Sequence, residues 1–202
     1  MTASADLLID GFGRIRENVL EVLSGLSPAQ LAHQLAPGAN SISWLVWHLT
    51  RVQDDHVAAA FGVTQVWSAG GWAARFGLPA SMLDHGYGHT SAQVAEVGAA
   101  TAAAGLLAEY HEAVHAQTVK LVADVTDADL PRIVDTRWTP PVTLGVRLVS
   151  VLDDDMQHVG QAAYVRGLLP ALAVPALAVL ALGEGERLAR QVGPAQGRVG
   201  GG

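Results

Sequence analysis

The chain has 202 residues, half of them hydrophobic and 15% charged. This composition supports a packed core and excludes wholesale disorder, and the length favours one domain with room for an appendage. The formal net charge is −7, from 12 basic and 19 acidic residues, and no basic cluster occurs, so we expect no nucleic-acid binding.

In the first third of the chain, the spacing of apolar residues predicts two long helices. The first covers about 5–24, where leucine, isoleucine and valine recur at helical intervals. Ser27 followed by Pro28 predicts the start of a short helix that reaches about residue 35, because a hydroxyl N-cap and a proline at the first helical position favour initiation. After the breaker-rich stretch 36–40, a second long helix is expected to begin at Ser41 or Ser43 and to end near Phe61.

The middle of the chain predicts a long loop and then a third helix. Residues 62–91 are rich in glycine but contain Trp67, Trp72 and Phe76, which favour an ordered and functional connection. Ser91 is expected to cap an alanine-rich third helix that reaches past Leu121.

The last third predicts a fourth helix and an apolar extension. The helix should begin near Leu144 and end around Gly167, with Leu148, Val151, Leu152, Asp155, Val159 and Ala162 as its buried stripe. The segment 168–182 is interrupted by Pro170 and Pro175 and is too short for a membrane span, so it is expected to form a docked C-terminal helix before a loose tail at 193–202. The fold class predicted is all-α.

Three residues from two predicted helices form a candidate metal site. Asp154 and His158 lie four residues apart and therefore share one helix face. His48 lies on the second long helix within an apolar surround. Burying a carboxylate without a cation is costly, and a divalent ion would offset that cost. Two imidazoles and one carboxylate leave coordination positions open, as in catalytic centres; zinc suits this set best, with nickel, iron or manganese as alternatives.

A rival pair lies on the third helix. His111 and His115 are also four residues apart, but Glu109 and Glu112 indicate a partly exposed polar stretch. We therefore favour the site formed by His48, Asp154 and His158.

Four further residues are candidates for binding substrate near that site. Trp44 lies one turn before His48 and is expected to line the pocket, whereas Trp47 is expected to pack in the core. His85 and His89 flank loop glycines and could reach the pocket mouth, with a plain surface loop as the alternative. His56 lies two turns after His48 and could approach the same cavity, or serve in the core.

These residues resemble the DinB/YfiT-like superfamily of metal-binding four-helix bundles, in particular members related to mycothiol-dependent S-transferases and maleylpyruvate isomerases. The resemblance covers about 7–169 and is carried by Trp47-His48-Leu49 and by the stretches 26–31 and 154–161. It implies an up-down-down-up order with a long crossover between helices 2 and 3, which matches 62–91. We therefore expect a bundle domain at 1–169. The apolar segment and flexible tail expected at 170–202 have no counterpart in the resemblance.

In the superfamily, one histidine of the second helix and a His-x-x-x-His pair of the fourth helix bind a divalent metal. His48 and His158 match two of these ligands, and Asp154 replaces the third. The function implied is a metal-dependent transferase that activates a low-molecular-weight, mycothiol-like thiol for attack on an electrophile docked against the loop aromatics. No residue is assigned to proton transfer.

The remaining sequence features bear on the thiol, the location and the alternatives. The chain has no cysteine, so a thiol would have to come from another molecule. The N-terminus lacks a signal-peptide pattern, and we expect a cytoplasmic protein with no membrane partner. A homodimer is plausible from the apolar content. Alternative functions are a metal-dependent hydrolase that activates water at the same site, and a stress-associated metal- or small-molecule-binding module without enzymatic activity.

Overall fold

A computed structural model of the protein describes residues 2–79, 81–82 and 84–191, with side chains described as far as Leu169. The described residues are mostly helical and include one short antiparallel hairpin, which confirms the predicted all-α class. The elements are α1 Ala3–Leu23, α2 Pro28–Leu31, α3 Ile42–Phe61, α4 Val66–Ala69, α5 Trp72–Arg75, α6 Ser91–Ala100, α7 Ala104–Val122, β1 Ile133–Asp135, β2 Val142–Thr143 and α8 Leu144–Gln191. The chain divides into two compact units, Met1–Arg166 and Gly167–Gly202, and the up-down-down-up order stays a prediction.

The predicted helix starts are set by side-chain caps. Ser27 and Gln30 form a reciprocal capping box at α2, and the Ser41 hydroxyl accepts the backbone N–H of Trp44 at the start of α3. For the third long helix the cap is Thr90 and not Ser91, again in a capping box. Each cap satisfies backbone donors that have no partner inside the helix, and this fixes where α3 begins relative to its neighbours.

The predicted single third helix is wrong, because it is divided into α6 and α7. The break lies at 101–103, where Ala103 adopts an extended conformation. α6 packs on α3 through Gly98, whose added Cβ would lie 2.5 Å from the Ser41 hydroxyl oxygen, and Ser43 donates to the Gly98 carbonyl at 2.6 Å. α7 instead contacts both α1 and α3. The break allows one alanine-rich stretch to make both sets of contacts.

The predicted end of the fourth helix at Gly167 is also wrong, as is a separate C-terminal helix after it. α8 continues to Gln191. Each proline removes one backbone donor, and the alanine and leucine residues around Pro170 and Pro175 favour helical backbone on both sides. The predicted loose tail at 193–202 lies outside the described residues.

The core is formed by the facing sides of the long helices. Phe12, Trp47, Tyr110 and Leu148 are at most 1% exposed, and burying an apolar side chain of this size contributes about 1.5–3 kcal/mol. The predicted stripe on α8 is confirmed, with Leu152 half-buried and the other five members buried. Trp47 is a core residue, as expected. This packing orients the faces of α3 and α8 that carry the candidate ligands.

None of the helices in the described part of the chain combines the length and apolarity needed to cross a membrane.

Candidate metal centre and adjoining pocket

The three predicted metal ligands lie together in the structure. His48 from α3 and Asp154 and His158 from α8 each offer one ligand atom, and these atoms lie within 4.8 Å of one another. The imidazole centroids of His48 and His158 are 4.7 Å apart, with their planes at 77°. The nearest carboxylate oxygen of Asp154 lies 3.7 Å from Nε2 of His158. Two neighbouring helices thus bring two imidazoles and one carboxylate to one point.

Hydrogen bonds set the tautomers of both imidazoles. Nδ1 of His48 donates to the backbone carbonyl of His85, since a carbonyl can only accept. Nδ1 of His158 donates to the side-chain oxygen of Gln161 at 3.0 Å. In each ring Nε2 therefore carries the free lone pair. Metal-binding histidines characteristically donate their other ring N–H to a carbonyl or another acceptor in this way.

Burial favours the neutral forms of His48 and Asp154. It lowers the pKa of His48 to about 4, so this imidazole is uncharged at neutral pH and its lone pair is available. Burial also raises the pKa of Asp154. Among the described residues, Oδ2 of Asp154 is buried without a hydrogen-bond partner. An unpartnered carboxyl oxygen beside two imidazoles fits a bound cation, which would favour the charged form of the carboxylate.

Gly86 seals one side of His48. Its φ is +93°, and an added Cβ would lie 2.9 Å from the ring of Trp47, 3.0 Å from that of Trp44 and 3.2 Å from Nδ1 of His48. Only glycine fits both the backbone conformation and this close approach. The tight contact explains how the loop delivers the carbonyl of His85 to the imidazole of His48.

Trp44 and His89 hold this loop on α3. The Trp44 ring stacks on His48 at 4.6 Å and 14°, and its Nε1 donates to Nδ1 of His89 at 3.4 Å. Nε2 of His89 then donates to the Asp84 carboxylate at 2.9 Å. Both nitrogens of His89 are therefore engaged within the protein. Direct contact of Trp44 and His89 with substrate stays a prediction; the contacts here position His48.

The other two predicted substrate residues lie in the wall of a cavity. His56 and His85 line a space of about 510 Å³ together with four residues that carry no sequence signal for function: Tyr87, Arg137, Trp138 and Arg147. The His85 ring lies 5.5 Å from that of His56 and 6.1 Å from that of His48. The cavity therefore adjoins the candidate metal centre across His85. Its volume is within the range of small-molecule sites.

A second group of ligand-type side chains lies beside the cavity. Asp55, His56 and His85 each offer an atom within 4.8 Å of the others. Asp55 already accepts a hydrogen bond of 2.6 Å from Gln65. The pKa of His56 is lowered to about 4 by burial first and by the positive charge of Arg147 second. A cation here would face the same positive charge, so the first group is the better candidate for a metal.

The predicted partial exposure of the rival pair on α7 is wrong for His111. His111 is fully buried, whereas the neighbouring glutamates had indicated a partly exposed stretch. Thr50 uses its proton on the carbonyl of Val46 at 2.8 Å, so its oxygen accepts from Nδ1 of His111 at 3.0 Å. Burial lowers the pKa of His111 to about 3. Among the described residues, neither His111 nor His115 belongs to a cluster of three ligand-type side chains.

The aromatic residues of the 62–91 connection were expected to form the docking surface for the electrophile. This prediction is wrong for Trp67, Trp72 and Phe76, because their rings are buried. Trp67, Trp72 and Phe76 are at most 5% exposed. Their rings pack around Tyr110 at centroid distances of 5.0–6.2 Å. They order the 62–91 connection as part of the core, as predicted, whereas the accessible aromatic rings near the site belong to Tyr87 and Trp138.

Comparisons with known proteins agree with this geometry. The family model described as mycothiol-S-transferase matches residues 7–171. The fold is similar to a crystal structure described as a conserved protein from Enterococcus faecalis, with a TM-score of 0.74 and 32% identity over 85% of this chain and 99% of that one. No match is found among curated proteins. The family match covers most of the chain, and the chain therefore belongs to the mycothiol S-transferase family of DinB-like proteins.

Proposed function

We propose that the protein is a metal-dependent transferase that activates a low-molecular-weight, mycothiol-like thiol for conjugation to an electrophilic small molecule. His48, Asp154 and His158 would hold the divalent ion, with zinc as the best match to two imidazoles and one carboxylate. The observation that carries the proposal is their convergence within 4.8 Å. It is supported by the set tautomers of both histidines and by the unpartnered oxygen of Asp154.

A bound divalent cation would lower the pKa of a thiol and favour the nucleophilic thiolate. The protein has no cysteine, so the sulfur comes from the cosubstrate. Asp154 contributes a negative charge where a third imidazole would contribute none, which lowers the positive charge at the centre by one. The carboxylate of Asp154 therefore favours harder metal ions more than a third histidine would.

The surrounding residues hold the site and limit the access of water. Trp44 covers one face of the His48 ring, and Gly86 brings the loop against its edge. His56 and His85 would border the bound electrophile, because they line the adjoining cavity. A homodimer, a cytoplasmic location and the absence of nucleic-acid binding stay predictions.

The test compares metal content and thiol conjugation in the same preparations. Wild-type protein and His158→Ala are each loaded with zinc, nickel, iron or manganese and assayed with a thiol and an alkyl halide. We expect His158→Ala to lose both metal retention and conjugation, whereas His33→Ala, at an exposed histidine that belongs to neither group of ligand-type side chains, keeps both. Full conjugation by metal-stripped His158→Ala would refute the mechanism. Hydrolysis of an ester without added thiol would favour the metal-dependent hydrolase. Metal binding without any turnover would favour the binding module that has no enzymatic activity.

A further inference from the structure

We propose that the cavity beside the candidate metal centre binds a carboxylate on the electrophilic substrate, with a planar apolar body held between Tyr87 and Trp138. The identification of this ligand as the electrophile rests on the proposed function. The cavity is lined by His56, His85, Tyr87, Arg137, Trp138 and Arg147. Its chemistry is thus two guanidinium groups, two imidazoles and two large rings.

The two arginines are held in place by one shared carboxylate. Asp135, at the end of β1, accepts from Nη2 of Arg147 at 2.8 Å and from Nη2 of Arg137 at 2.9 Å, and its second oxygen accepts from Nε of Arg137 at 3.0 Å. Two positive charges against one negative charge leave one positive charge uncompensated within this triad. A guanidinium has five N–H donors in a planar fork that matches a carboxylate, and Asp135 occupies only some of them.

Both guanidinium groups of the triad line the cavity. Its six lining residues include no acid. The nearby acids Asp55 and Asp135 instead line a neighbouring cavity of about 300 Å³, which shares His56, Arg137 and Arg147 with the larger one. Electrostatic complementarity therefore favours an anion in the larger cavity. A cation at Asp55, His56 and His85 would lie beside both guanidinium groups.

The rim of the cavity is aromatic and open. Tyr87 is 88% exposed and Trp138 is 64% exposed, in contrast to the buried rings of Trp67, Trp72 and Phe76. Large exposed rings beside a concave polar site are typical of ligand-binding surfaces. A planar substrate could stack on either ring while its carboxylate reaches the arginines. The end of the substrate opposite its carboxylate would then lie near His85, whose ring is 6.1 Å from that of His48.

The reaction to be followed is the alkylation of a thiol. The sulfur electron pair attacks the bromomethyl carbon, a C–S bond forms, the C–Br bond breaks, bromide leaves with its electron pair and the thiol proton passes to solvent. The electrophiles are 4-(bromomethyl)benzoate and 4-(bromomethyl)benzamide, which are matched in shape and differ in charge. The unreactive probes 4-methylbenzoate and 4-methylbenzamide allow binding to be measured by calorimetry without turnover.

We expect the benzoate probe to bind at least about 10-fold more tightly than the benzamide probe, as an added charge-assisted contact implies. Arg137→Gln should reduce this preference to near unity, and because Arg137 is 81% exposed the variant should fold normally. Arg147→Gln should act in the same direction. Arg75→Gln is the matched control, since Arg75 stacks on Trp72 outside the cavity and should leave the preference unchanged.

A second pair of compounds tests whether the bound carboxylate belongs to the electrophile or to the thiol. N-acetylcysteine and its amide differ in the same way as the two electrophiles. A charge preference confined to this thiol pair would overturn the assignment to the electrophile. An equal affinity for the benzoate and benzamide probes, or a preference unchanged in both Arg137→Gln and Arg147→Gln, would overturn the anion site. If the binding preference holds while no thiol is alkylated, the cavity assignment is supported and the proposed function fails.

Discussion

The hydrogen bond between Gln161 and His158 provides a sensitive test of the metal centre. Replacing Gln161 with leucine removes the acceptor at 3.0 Å that sets the His158 tautomer and ring orientation. Loss of such a partner typically weakens metal affinity about 10–100-fold, or about 1.4–2.8 kcal/mol. Here His158 is 19% exposed and Gln161 lies on the surface, so water can partly replace the amide. We therefore expect a loss close to the lower limit, about 10-fold.

The measurement is competition for zinc against a chromophoric chelator at fixed pH. Gln161→Glu should bind zinc more tightly than wild type, because a charged acceptor raises the basicity of the ligating nitrogen. Gln157→Leu is the matched control on the same helix, since Gln157 bonds to Asp153 and not to a candidate ligand. Wild-type affinity in Gln161→Leu, or an equal loss in Gln157→Leu, would refute this account of how His158 is held.

Three further predictions concern the loop, the buried histidines and the core. Gly86→Ala should weaken zinc binding and cost about 1–3 kcal/mol more in unfolding free energy than Gly88→Ala, because both have positive φ but only Gly86 abuts other rings; equal effects in denaturant melts would contradict the close approach. In the metal-free protein, each buried histidine should contribute a loss of stability as pH falls from about 6.5 toward 4, by up to about 1.4 kcal/mol per pH unit, because its lowered pKa means that the unfolded chain binds more protons there. The carboxyl groups of Asp54, Asp154 and Asp155, whose pKa values are raised, oppose this loss. The histidines concerned are His48, His56 and His111. A stability difference between wild type and His111→Asn that does not change between pH 7 and 5 would contradict this. Leu148→Ala should cost about 2–5 kcal/mol in the same assay, since Leu148 is fully buried, and a loss below about 1 kcal/mol would show that the core repacks.

The convergence of the candidate ligands could be predicted because it rests on helical periodicity. Asp154 and His158 share a face of α8 at any register, and the apolar surround of His48 places its face of α3 toward the core. The burial of His111, which the sequence did not predict, has the same physical basis. A residue next to it in sequence points about 100° away around the helix, so Glu112 can pair with Arg16 at the surface while His111 is buried.

The cavity could not be predicted, because tertiary contacts create it. β1 and β2 have three and two residues, which is too short for an alternating pattern to be recognised. The hairpin nevertheless brings Arg137 and Trp138 beside Arg147 and His56 of two different helices. The break between α6 and α7 was equally hidden, since it depends on the close approach of Gly98 to α3 and not on a breaker residue.

The most direct test of the metal centre is anomalous diffraction from crystals of the zinc-loaded protein. Zinc binding at the proposed site predicts one strong peak about 2.0–2.2 Å from Nε2 of His48, Nε2 of His158 and a carboxylate oxygen of Asp154. A peak at Asp55, His56 and His85 with none at His48 would contradict it, as would zinc-loaded crystals without a peak at either group.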